Sequence, residues 1–231
     1  MNNREHNMSE KSQLIYRWVK FGIVCGILAD LCYGLAIGLP MPERLTNVVF
    51  FAFGPLLMAG APGTYFFIKQ HRNSIALQVG TLFMIAAGMS VTVMAVVQRA
   101  VFLTFYPIKP EATNEVAYEA WRMGLASGNA VQLGLDIVWD IFILTGAVLL
   151  AISMYNHPRL GKIVSSFGIT IGLLGLYFNL ATFPVPPGQA GSFDIGPLVG
   201  LWFLVVTIMV IASLKWMRHS LESPSVNQES I

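Results

Sequence analysis

Six long apolar runs divide the chain, at about 18–39, 46–68, 74–105, 130–155, 163–183 and 197–216. A helix needs roughly 20 apolar residues to cross the hydrocarbon of a bilayer, so each run predicts one membrane span. Pro107 and Pro110 stop the third run, because proline cannot continue a helix and restricts the residue before it. The first run is too long for a signal-peptide core, has no small-residue cleavage site before Pro40, and reads as a retained span. The pattern predicts an all-α polytopic membrane protein: a six-helix transmembrane bundle over 18–216, between polar tails at 1–17 and 217–231.

The connections carry their own signals. In "TNEVAYEAWRMGLASG" (113–128), Thr113 or Asn114 can cap a helix, and Val116, Ala120, Trp121 and Leu125 fall at helical spacing. This predicts a short amphipathic helix over 114–127, lying on the outer membrane face or closing over a site. "FPVPPGQAGSFDIGP" (183–197) has too much Pro and Gly for a helix. It predicts an ordered, turn-rich connection, with Asp194 capping the sixth span and Pro197 in its first turn. The second run contains Gly54-Pro55 and Ala61-Pro62-Gly63, which predict a kink or a break. The backbone freed there would meet either a substrate or the neighbouring helices.

Composition agrees with the pattern. Of 231 residues, 55% are hydrophobic and 11% charged, against about a quarter charged in soluble domains. The net charge of +2, with no basic patch interleaved with aromatics, excludes a nucleic-acid partner. Only Arg44, Arg99, Lys109 and Arg122, of 14 Lys and Arg residues, fall on the side opposite the N-terminus. The positive-inside rule then places both termini in the cytoplasm. Cys25 and Cys32 share the first run. Seven residues of helix separate them by about 10 Å along the axis, too far for a disulfide.

The chemistry lies in polar residues inside the spans. An aspartate near mid-membrane costs roughly 2.5–3.5 kcal/mol, so Asp30, Asp136 and Asp140 must face the bundle interior or a wet cavity. Gln132, Asp136 and Asp140 repeat at i, i+4 and i+8, on one helix face. With Arg99 and Asn179, all of these fall in the outer half, which predicts one polar cavity open to the outside. Arg99 is the cation placed to offset the carboxylates. One arginine cannot neutralise three, so at least one carboxyl is expected to be protonated at neutral pH. Such a carboxyl suits proton coupling or cation binding. A plainer reading has Asp136 paired with Arg99 to fix helix packing, Asp140 held neutral by hydrogen bonds, or Arg99 snorkelling to the interface. Gln132 and Asn179 would then bond across helices.

Other chemistries are poorly supplied. His6, His71, His157 and His219 lie in the tails or on the cytoplasmic side, away from the aspartates, which disfavours a zinc site there. No Gly-x-Ser-x-Gly, His-Glu-x-x-His or phosphate-cradling loop is present, and no cofactor is implied. An aspartate-dependent enzyme acting on a lipid or small molecule survives as an alternative.

The segments "GLDIVWDIFILTGAVLLAISMYNHPRLG" (134–161) and "NLATFPVPPGQAGSFDIGPLVGLWF" (179–203) resemble a family of small bacterial integral membrane proteins without assigned activity. The resemblance implies a six-helix bundle in the bacterial inner (plasma) membrane and brings no cofactor or site residue. The leading expectation is a small transporter or ion/proton-coupled permease. Asp136 and Asp140 would be its exchangeable carboxyls, Asp30 a second acidic wall and Arg99 the counter-charge, with Gln132 and Asn179 along the pathway. The expected partners are the lipid bilayer, a small ion or polar small molecule, and a second copy or membrane partner. An accessory or sensor subunit is the other non-enzymatic alternative.

Overall fold

The computed structural model describes residues 8–110 and 114–222. These form seven helices and no strand: α1 (Glu10–Gly38), α2 (Glu43–Lys69), α3 (Ile75–Phe105), α4 (Glu115–Met154), α5 (Gly161–Thr182), α6 (Gly196–Ala212) and α7 (Leu214–Glu222). Among the described residues, five helices are long and apolar enough to cross a membrane, or six if α6 and α7, bent by 52°, make one span. Large apolar side chains such as Leu28, Leu82, Leu173 and Leu201 stand exposed on the outward faces. A surface of that kind requires apolar surroundings, so length, hydropathy and surface all describe a multi-pass membrane protein.

Several helix ends differ from the sequence expectation. The N-terminal tail was expected to run to residue 17, yet α1 begins at Glu10 because Ser9 caps it, its Oγ accepting from Ser12 N at 3.2 Å. The sixth run, expected to be continuous over 197–216, divides at Ser213, whose hydroxyl donates to Met209 O at 2.7 Å. Back-bonding of this kind competes with the helix ladder and bends it. The segment assigned to the C-terminal tail is helical as far as Glu222. The remainder of each tail, 1–7 and 223–231, lies outside the described residues, as does the alternative cap Thr113.

The largest departure is α4. The separate outer helix expected at 114–127 is the first part of one continuous 40-residue helix, about 60 Å long at 1.5 Å per residue. Asn114 caps it, accepting from Ala117 N at 3.2 Å. Gly124 and Gly128 are both contact points with α3. Cβ atoms there would lie 2.7 Å from Phe105 Cε1 and 2.9 Å from Val101 Cγ2. Trp121 Nε1 donates to Phe105 O at 2.8 Å. The partner helix α3 therefore packs closely along the first part of α4.

Of the kink or break expected in α2, the break does not occur. The helix continues through Pro55 and Pro62 because close neighbours on both sides hold its backbone. A Cβ on Gly63 would lie 2.6 Å from Gly22 Cα in α1. One on Gly54 would overlap Thr92 Oγ1 and Gly88 O in α3. Small residues allow this approach, which substitutes for a hydrophobic drive between helices in lipid.

Each helix packs chiefly on its neighbours in sequence, and α6 returns to α1, so the six long helices close into a ring. On the α5–α6 side, Trp202 is buried, its Nε1 donating to Val164 O at 2.8 Å, and its indole fills the space left by Gly168. Trp202→Phe removes the donor and part of the ring. It is expected to cost about 1–2 kcal/mol, read as a lower Tm in detergent. An unchanged Tm would mean that the indole does not seal this joint.

Candidate functional site

The ring encloses a cavity of about 410 Å³, lined from every long helix and from the α5–α6 connection. Its geometry follows from helical spacing. From α6 it takes Gly196, Val199, Gly200, Phe203 and Thr207, and from α4 Asp136, Trp139, Asp140, Ile143 and Leu144. Each set lies on one face of its helix. Asp30 and Tyr33 of α1 and Phe53 and Thr64 of α2 complete the polar and aromatic wall. The ring of Phe53 links the other two aromatics, 5.5 Å from Tyr33 and 6.4 Å from Trp139 between centroids.

Of the residues singled out in the sequence, Asp30, Asp136, Asp140 and Asn179 line this one cavity. Asn179 Nδ2 donates to Gly175 O at 3.0 Å, and the residue also borders a small cleft shared with Asp136 and Asp140. Gln132 is half-buried one turn from Asp136 and is not part of the wall.

Arg99 is placed elsewhere, and its expected pairing with an aspartate is replaced by other contacts. Its Nε donates to Asn47 Oδ1 at 2.6 Å, its Nη2 lies 3.9 Å from Glu43 Oε1, and its guanidinium sits 5.0 Å from the Phe102 ring centroid. The start of α2 beside the end of α3 supplies an anion and an amide closer than any cavity aspartate. The lining therefore holds no Lys, Arg or His.

A fourth carboxylate, Asp194, completes the set on the cavity wall. Its Oδ1 accepts from Gly196 N at 2.9 Å, although the N-cap residue of α6 is Ile195, and the capping role expected of Asp194 hid its place beside the others. The connection that carries it is tightly ordered. Ser192 N donates to Pro187 O at 2.8 Å and Gln189 N to Pro186 O at 2.9 Å. Gly191 adopts φ 76°, in the left-handed region that glycine enters freely. The aromatic wall also escaped the sequence reading, since Tyr33, Phe53 and Trp139 look like any other aromatics in an apolar run.

Two wall atoms are buried and make no hydrogen bond among the described residues: Asp30 Oδ2 and Trp139 Nε1. Buried polar groups are normally satisfied, and an exception calls for an explanation. Among the described residues, no three of His, Cys, Asp or Glu come together closely enough to hold a metal ion.

The opposite end of the ring carries a different cluster. His157, in the α4–α5 connection, is buried against Phe67, His71 and Trp216, with ring centroids 5.1, 5.3 and 5.2 Å away. Its Nδ1 accepts from Arg159 N at 3.2 Å. Burial, together with the nearby charges of His71 and Arg159, lowers its pKa to about 4.

No family model, curated protein or solved structure matches the chain, so its function has to be read from its side chains.

Proposed function

We propose that the chain is a small transporter, an ion- or proton-coupled permease of the bacterial inner (plasma) membrane. In this reading α6 and α7 form a single bent sixth span, both termini are cytoplasmic, and the Asp194 end of the ring faces outward. The basic residues then concentrate on the cytoplasmic side, as the positive-inside rule requires. The observation that supports the proposal best is the gathering of Asp30, Asp136 and Asp140, from two helices of the ring, on one cavity without a cation. Carboxylates inside a membrane domain are costly and mark ion and proton pathways. Asp136 and Asp140 are the exchangeable carboxyls, Asp30 the facing acidic wall, and Asn179 a polar group on the same path.

The alternative in which these groups only lock helices together loses its main support, because Arg99 bonds to Asn47 and is paired with Glu43.

The test is reconstitution into liposomes with proton uptake followed under an imposed membrane potential. Wild-type protein is expected to carry a flux that a hydrophobic carbodiimide blocks, with the adduct on Asp136 or Asp140. Asp136→Asn and Asp140→Asn are each expected to reduce the flux at least about tenfold while folding is kept. Undiminished flux in both variants would overturn the proposal. So would a large drop in Tm in both, which would make the carboxyls structural.

A further inference from the structure

The shape and lining of the cavity say more than that an ion passes through it. Its volume of about 410 Å³ falls in the range of small-molecule pockets, roughly 300–1,000 Å³, and far exceeds the space an inorganic ion fills. Among the described residues, no three of His, Cys, Asp or Glu come together closely enough to hold a metal ion. The wall offers the carboxyls of Asp30, Asp136, Asp140 and Asp194 with no basic residue to balance them. Between the carboxylates lie apolar and aromatic side chains, with Tyr33, Phe53 and Trp139 as a linked set. Aromatic faces attract cations, more strongly where water is excluded. Asp30 and Trp139 both line this space, although Asp30 Oδ2 and Trp139 Nε1 themselves lie buried behind its surface.

We infer that the cavity takes a protonated organic amine: an ammonium group with N–H donors on an apolar body of about aryl size. The ammonium meets the carboxylates of α1 and α4. The body lies against Phe53 and Trp139. As a statement about a transported solute this rests on the permease reading above. As a statement about binding it stands on the cavity alone.

Three molecules with one body and three charges test it: 2-phenylethylamine, 2-phenylethanol and phenylacetate. Each is titrated calorimetrically into the full chain in nanodiscs of zwitterionic lipid, with empty nanodiscs as the partitioning control. The amine is expected to bind with a Kd below millimolar, the alcohol at least about tenfold more weakly, and the anion not at all. Asp140→Asn should weaken the amine about tenfold. Trp139→Leu should weaken it about fivefold, with Trp139→Phe recovering part of the loss. Sodium and magnesium should not displace it. Equal binding of the three molecules, no binding of the amine, or displacement by sodium or magnesium would each overturn the inference. If the amine fails to bind while carboxyl-dependent proton flux persists, the inference falls and the permease stands. If it binds as described and no flux is found, the permease falls and the amine site stands.

Discussion

Gly63→Leu is expected to cost about 3 kcal/mol or more and to lower the Tm of the detergent-solubilised protein by on the order of 10 °C. A Cβ at Gly63 would already lie 2.6 Å from Gly22 Cα and 2.9 Å from Trp18 O, with backbone atoms that have no other rotamer to adopt. The leucine branch must therefore push α1 away from α2. Gly22 and Gly60, from the same crossing, line the cavity, so the displacement also distorts the site. Gly34→Leu on α1 is the control, since nothing lies within 4 Å of a Cβ at that position. It should change stability by no more than about 0.5 kcal/mol. Equal Tm values for the two variants would show that the glycine crossing does not set the helix spacing.

The second large effect is on acid stability. His157 has a folded-state pKa of about 4, below the unfolded value of about 6.5. Above about pH 6.5 it is neutral in both states, and the fold bears no cost from it. As the pH falls from about 6.5 towards 4, the unfolded chain binds a proton that the folded chain resists, and stability drops by up to about 3 kcal/mol. His157→Phe keeps an aromatic ring against Phe67 and Trp216 but cannot titrate. Between about pH 7 and about pH 4, which spans the His157 window, its Tm should fall less steeply than that of the wild type. Parallel Tm curves for the two proteins would dispose of the idea. Because other groups also titrate in this range, the difference between the two curves is the quantity to compare.

These effects differ in how far the sequence announces them. The apolar runs and the separation of Asp136 from Asp140 by one turn are local facts, and helical geometry turns them directly into spans and a shared face. That Asp30 belongs with them is one step harder, and the expense of burying a carboxylate supplies the step. The contacts of Arg99 depend on which helix ends lie side by side. Glu43 and Asn47 read as the edge of a loop and the start of a span, and nothing local says that they meet Arg99. Gly124 and Gly128 illustrate the same limit. Taken alone they weaken a helix, and only the presence of Phe105 and Val101 turns them into contacts between α3 and α4. Asp194 shows a different difficulty: one side chain filled two roles, and the local one was sufficient to account for it.

The closed ring has a mechanical consequence. A hoop of staves opens at its weakest join, and here that join is α6. At 17 residues it is the shortest of the six long helices, and it touches its two neighbours more sparsely than the other long helices touch theirs. One end is tethered by the tightly turned connection around Gly191, and the other meets the 52° bend at Ser213. The α3–α4 pair is the stiff spine against which such a stave would move. Disulfides pinning α6 to α1 should then arrest the molecule in one posture, while the same staples between α3 and α4 should leave its working unchanged.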